Sequence, residues 1–161
     1  MNAIIHWLLN SGLNHWIRSV SWAWPTLQIL HFVGLSLLLG AMLIIDLRLA
    51  GFWRRISISA IHALLPWAVI GFGINFMTGL MFIVGDPNRY AKNVGFRIKL
   101  LLIVIAGLNA LWFGLKISPT MNNWHPNGDT SSVAKVAAYL SLVSWFGVLL
   151  LGRLIPYVGT G

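Results

Sequence analysis

The sequence predicts an all-α membrane protein: a four-helix transmembrane bundle preceded by an amphipathic interfacial segment. Three observations carry this. The chain is 58% hydrophobic and only 9% charged, with a mean hydropathy of +0.80, whereas a soluble domain carries about 25% charged residues. Four apolar runs are each long enough to cross a bilayer, whose hydrocarbon core of about 30 Å takes about 20 helical residues. Of the nine tryptophans only Trp145 falls far from the end of such a run, as expected of amphipathic rings that favour the membrane–water boundary.

In chain order, residues 3–18 (AIIHWLLNSGLNHWIR) place Ile4, Trp7 and Leu8, then Leu13, Trp16 and Ile17, on two short apolar faces broken at Ser11-Gly12. The segment is too short and too polar to span, so it reads as lying in the interface. It has no basic n-region followed by a small-residue cleavage site, so it does not read as a removable signal peptide. The first span covers about 25–45, with Pro25 in the first turn, where its missing N–H costs nothing. Asp46 and Arg48 then stop the apolar run. A loop from Asp46 to Ser57 follows, and residues 58–65 form either an interfacial turn or an extension of the next helix.

The second span covers about 66–84, again with a first-turn proline, Pro66. Gly85-Asp86-Pro87-Asn88 is turn chemistry. The third span covers about 96–115. A long polar stretch with Pro119, Pro126 and Gly128 separates it from the fourth, about 133–157, which residues Asp129 to Ser132 can cap. There is no internal repeat, and residues 1–161 read as one integral membrane domain. Four spans return the chain to the side where the first began. That side, face one, also carries the loop between spans two and three, and face two carries the other two loops.

The formal net charge is +8. Its basic residues cluster in short loops beside apolar spans, which suits anionic lipid headgroups. No basic run is interleaved with exposed aromatics as a nucleic-acid groove requires, so nucleic acid is not expected as a partner. Face one carries Arg18, Arg89, Lys92, Arg97, Lys99 and Arg153, and face two carries Arg48, Arg54, Arg55, Lys116 and Lys135; these sets are too alike to orient the protein. Without cysteine there is no disulfide, thiolate metal site or thiol catalysis. Glycine-rich phosphate loops, HExxH pairs and nucleophile–base–acid sets are also absent.

Lipid gives helices no hydrophobic reason to associate, so small residues and polar contacts matter more. Ser36 and Gly40, Ala106 and Ala110, and Ala137 and Ser141 are each spaced by four, and the second span holds Gly71, Gly73 and Gly79. Each span also carries polar groups. Gln28 and His31 sit one turn apart on the first span; Asn75 and Thr78 share a face with Gly71 on the second. Lys99 and Asn109 share a face on the third, with Asn109 near the midplane, and Ser141 and Ser144 share one on the fourth. Arg153 lies nearer face one. An ionisable residue inside a span is by default a functional candidate, and unpaired polar groups in hydrocarbon cost several kcal/mol.

Three readings follow: interhelical hydrogen bonds that only fix packing, a cofactor or quinone pocket, or an ion or proton path. The last is disfavoured because no carboxylate falls within the four runs. The three aspartates, Asp46, Asp86 and Asp129, sit at loop edges, where solvated or capping roles suffice.

For haem, His31 is the metal-ligand candidate. His62 belongs near face two, on the order of 20 Å from His31 along the helix axis, so the two cannot share an iron. His6 and His15 lie on the same side as His31, and His15 is the better second ligand if its segment folds inward. His62 and His125 could form a separate shallow site at face two. Met77 and Met81 are one turn apart but Met42 lies toward the opposite face, so the methionines make no copper site.

Several phrases occur together: HFVGLSLLLG at 31–40, DLRLAG at 46–51, LPW at 65–67, FRIKLLL at 96–102, GLNALWF at 107–113, SLVSW at 141–145 and GRLIPY at 152–157. With them the chain resembles, over roughly residues 20–158, a family of small bacterial four-helix membrane proteins with no assigned role. More distantly it is similar to the copper-resistance D type and to b-type cytochrome bundles. The resemblance implies a bacterial inner-membrane protein linked to copper or haem redox chemistry, with a membrane or periplasmic redox partner or a larger complex. Members of that family carry a histidine just after the Asn-Ala-x-x-Phe segment, where this chain has Gly114; haem ligation from the third span is therefore not implied.

The functional expectation is a small membrane redox or electron-transfer component with a haem b or quinone pocket near face one. His31 would ligate or hydrogen-bond the cofactor; Gln28, Asn75 and Asn109 would orient it; Arg153, with Lys99 or Arg97, would meet an anionic group. The alternative is a non-catalytic membrane subunit or anchor. Reporter fusions at residues 1 and 161 are expected to report the same side of the membrane; opposite sides would remove the four-span topology.

Overall fold

The computed structural model describes residues 2–119 and 130–157. Among these there is no strand, and the architecture is the expected all-α bundle. Two short helices, α1 (Asn2–Leu9) and α2 (Gly12–Ser19), precede the long helices α3 (Ala23–Ala50) and α4 (Ile58–Gly85). The six-residue α5 (Pro87–Lys92) leads into α6 (Val94–Trp112), which runs on through a π-helical turn at Phe113–Ile117. The last helix is α7 (Ser132–Leu154). Four helices are long and apolar enough to cross a membrane: Ala23–Ala50, Ile58–Gly85, Val94–Ile117 and Ser132–Leu154.

The interfacial segment breaks at Ser11, as its sequence suggests. Ser11 Oγ accepts the Asn14 N–H at 3.2 Å, starting α2. The inward face of α2 is Asn14 and Ile17. Asn14 Nδ2 donates to the Val84 carbonyl at 2.6 Å and lies 3.3 Å from that of Gly85, satisfying carbonyls that the end of α4 would otherwise leave open. A side chain at Gly85 would collide with Trp24 and Ile17, at 2.7 and 3.0 Å, so this corner requires glycine. Asn93 links the other helix ends at face one: its Oδ1 accepts the Phe96 N–H at 2.9 Å and its Nδ2 donates to the Ile155 carbonyl at 2.7 Å.

Several boundaries differ from the sequence reading. Asp46 and Arg48 do not stop the first helix, which continues to Ala50 and ends at Gly51, whose φ of +95° suits only glycine. Both charged residues are buried. Arg48 Nε donates to the Ile56 carbonyl at 2.8 Å and so holds the connecting loop against the helix. Residues 58–65 extend α4, capped by Ser57, so Pro66 lies inside a helix rather than in its first turn. Its nitrogen carries no hydrogen to donate to the carbonyl one turn upstream, but Ile61 is buried in the core and Leu64 and Leu65 pack against the same cluster. The turn after Gly85 develops into α5, with Asp86 Oδ1 accepting the Arg89 N–H at 3.3 Å.

α3 is the central helix. It packs against α4 on one side and α7 on the other, and α6 packs on α7. The α3–α4 contact is backbone to backbone. A Cβ at Gly71 would sit 2.5 Å from the Leu38 nitrogen and 2.6 Å from the Gly34 carbonyl oxygen. Among the small-residue pairs noted above, Ala137 and Ser141 are both buried, Ala106 is buried while Ala110 is exposed, and Ser36 and Gly40 face outward. Gly71→Ala is therefore expected to lower the thermal unfolding midpoint in detergent, at a cost of about 1–3 kcal/mol for overpacking. Gly73 and Gly79 have open space around them, so alanine there is expected to be neutral or stabilising by up to ~1 kcal/mol from helix propensity; equal effects at Gly71 and Gly73 would refute the close approach.

Candidate functional site

At face one the four long helices bring together His31, Thr78, Lys99 and Gly152. His31 stands about 12 Å along α3 from Ala23, at about 1.5 Å per residue, and Thr78 about 10 Å along α4 from Gly85. Their side chains meet: His31 Nδ1 and Thr78 Oγ1 are 2.7 Å apart. Thr78 Oγ1 also lies 2.7 Å from the Ile74 carbonyl, to which it donates. With its hydrogen committed there, the hydroxyl accepts from Nδ1–H, which leaves Nε2 of a neutral ring as an acceptor. No hydrogen bond to Nε2 forms among the described residues. Phe82 packs edge-on against the imidazole at 5.3 Å, and Trp24 packs on Phe82, also at 5.3 Å.

Lys99 approaches from α6 and lies within electrostatic range of the His31 ring. Its Nζ would be 3.2 Å from a Cβ on Gly152, so the stem of the lysine lies along the glycine of α7. No acidic side chain pairs with it among the described residues. An imidazole with a free nitrogen and an uncompensated ammonium thus converge beneath an aromatic pair.

The remaining candidates separate. Asn75 does not point at His31; its Nδ2 donates to the Gly71 carbonyl one turn back at 3.0 Å and sits against Gly34. Asn109 lies toward the other half of the bundle, where its Nδ2 donates to the Ala137 carbonyl at 3.0 Å. Gln28 is exposed. Arg153 is exposed, with its guanidinium 5.9 Å from the Tyr157 ring centroid. The segment carrying His15 does dock on the bundle, but through Asn14 and Ile17, and His15 itself is exposed. His62 hydrogen-bonds Ser118 at 3.4 Å near face two; His125 lies outside the described residues.

The sequence reading placed no carboxylate in a span and put Asp46 at a loop edge. The structure corrects both: Asp46 lies inside α3, in a membrane-spanning helix, and is buried. Sequence does not reveal this, because two charges in three residues read as the end of an apolar run. The roles of Asn14 and Asn93 are not legible in sequence either, since a lone asparagine near a helix end has no signature beyond a possible cap.

A bis-histidine haem at His31 would need a second imidazole. Among the described residues no group of three or more His, Asp or Glu is placed to hold a metal, and His6 and His15, the other histidines toward face one, are exposed. The pair offers one donor and one acceptor: the Lys99 ammonium can donate a hydrogen bond, and His31 Nε2 can accept one. Comparison with protein families, with curated proteins and with solved structures returns no match.

Thr78→Val keeps the shape of the residue and removes its oxygen. The His31 ring is then expected to lose its fixed tautomer, visible as a change in the Nδ1 and Nε2 shifts in nitrogen-15 NMR of histidine-labelled protein. Unchanged shifts would show that Thr78 does not orient the ring.

Proposed function

We propose that this protein is a small membrane redox component that binds the headgroup of a quinone between His31 and Lys99, close to face one. The observation that supports this reading is the convergence of the free His31 nitrogen with an ammonium that has no acidic partner. A quinone carbonyl accepts a hydrogen bond from Lys99 Nζ. The corresponding quinol hydroxyl donates to His31 Nε2, so the pair suits both redox forms. Trp24 and Phe82 supply flat apolar surface beside the ring, and the isoprenoid tail would lie along the lipid-facing side of the bundle. A haem is the weaker form of the same reading, because His31 would be its sole protein ligand. The resemblance to copper-resistance D and b-type cytochrome bundles points to the same class of chemistry, in a bacterial inner membrane.

A second reading, a non-catalytic subunit or anchor, is favoured by one observation. His31, Asn75 and Thr78 all have protein partners already, as they would if they served packing alone.

Organic extraction of the purified protein separates the readings. Quinone is expected to co-purify with the wild type and to fall at least fivefold in His31→Ala and Lys99→Met, with helix content unchanged. Protein that carries no quinone, and whose His31 NMR signals ignore an added short-chain quinone, would favour the anchor.

A further inference from the structure

A second polar layer crosses the bundle in its other half. Two apolar clusters form the core. One, nearer face two, contains Ile45, Leu49, Ala137 and Phe113; the other contains Leu38, Ala41, Ala106 and Trp145. Asn109 on α6 and Ser141 on α7 fall between these clusters in sequence, and Asp46 on α3 follows Ile45 at the edge of the first; all three are almost completely buried, at 7%, 3% and 2% exposure. Each has an oxygen without a hydrogen-bond partner: Asp46 Oδ2, Asn109 Oδ1 and Ser141 Oγ. The Trp145 indole N–H, one turn along α7 from Ser141, is also unpartnered. Several such atoms in one layer is unusual, because buried polar groups are nearly always paired.

Ser141 is the group that relates the other two. Ser141 is the side chain that faces the Asp46 carboxyl, without closing a well-formed bond to it. The Asn109 amide binds the Ala137 carbonyl, which in a helix points toward the N–H of Ser141, one turn on. Asn109 therefore lies over the same turn that presents Ser141 to Asp46. The α6 backbone leaves α-geometry four residues later, in the π-helical turn; such turns are frequent at functional sites.

We propose that Asp46, Asn109 and Ser141 form an intramembrane site for one small monovalent cation, a proton or Na+, reached from face two. A buried carboxylate needs a counter-charge. Asp46 has none: Arg48 on the same helix gives its Nε to the Ile56 carbonyl, and no ion pair to Asp46 forms among the described residues. The other groups on packed elements lie elsewhere. Lys135 of α7 lies over Gly51 at the helix end, His62 of α4 bonds Ser118, Lys116 beyond α6 is exposed, and His15 and Arg18 of α2 are at face one. One negative charge is neutralised by one monovalent ion. A divalent ion would leave a net charge buried in the bundle. Carboxylate, amide and hydroxyl oxygens form an all-oxygen donor set suited to a hard cation. Asp46 stands about 6 Å along α3 from Ala50, within reach of the face-two interface. In the exchange, the O–H bond of the protonated carboxyl breaks, Na+ takes the carboxylate, and the proton leaves to water.

The chain has only three acidic side chains, so its protonated-carboxyl infrared band can be assigned by Asp46→Asn. The full chain is reconstituted in nanodiscs and titrated with NaCl against choline chloride, and separately with pH. For Na+, the wild-type band is expected to fall on adding NaCl as protons are released to a weak buffer. For a proton-only site, the band titrates with pH and ignores NaCl. In either case Asn109→Leu and Ser141→Ala move the midpoint by roughly tenfold in ion concentration, which is a change of about 1.4 kcal/mol. These two variants retain the carboxyl, so they report even if Asp46→Asn fails to fold. An Asp46 band that titrates in the ordinary range of a solvated carboxylate, that never titrates, or that ignores both neighbouring substitutions would overturn the proposal. None of these readouts depends on quinone binding.

Discussion

The placement of the functional groups depends on the contact between α3 and α4 at Gly34 and Gly71. Two apolar helices in lipid gain nothing from the hydrophobic effect when they meet, so close packing must hold them. Here the backbones approach until neither glycine has room for a methyl group. The contact also sets the register. Gly71 lies against the Leu38 nitrogen; seven residues before Leu38 is His31, seven after Gly71 is Thr78, and in antiparallel helices those equal offsets bring imidazole and hydroxyl to 2.7 Å. Asn75 lies between them, and its amide fits because Gly34 has no side chain.

Once one side of α3 is given to α4, the other is available to α7. There the small residues Ala134, Ala137 and Ala138 admit the last turns of α3. This is why α3 can remain helical through Asp46 and Arg48. Their side chains are covered by α7 and by the loop that Arg48 holds in place, so the helix does not need to end where its charges begin.

The spans were legible because length and hydropathy report contact with lipid directly. Their ends were less so. Asp46 and Arg48 looked like interface residues, and Pro66 like a helix start, because sequence reading assigns charge to water and proline to a first turn; protein burial overrides the first and core packing around α4 the second. The shared depth of His31 and Thr78 followed from helical spacing, but their pairing did not. The separation of Gln28, Asn75 and Asn109 did not. α3 is apolar nearly all round, so no asymmetry in its sequence marks the side that meets protein. His15 shows the same limit in a shorter element: α2 docks as an amphipathic helix should, but Asn14 one residue earlier takes the inward position because it can bond the open carbonyls of α4.

The two polar layers lie on one helix yet are nearly independent. His31 and Asp46 are fifteen residues apart, about 22 Å along α3. Between them the packed residues are apolar: Leu38 and Ala41 of α3 meet Ala68, Ala106 and Val148, with Trp145 among them. Among the described residues no chain of hydrogen bonds crosses this plug. Charge is also a poor messenger at that distance. Two unit charges about 22 Å apart at an effective dielectric of about 20 interact by under ~1 kcal/mol, less than a tenfold change in any equilibrium. A cation arriving at Asp46 therefore cannot set the state of His31 through the field alone. Any stronger coupling has to pass through a shift of α3 against α4 or α7. The glycine contact with α4 resists such a shift, which leaves the small-residue seam with α7 as the surface along which the two ends could influence each other.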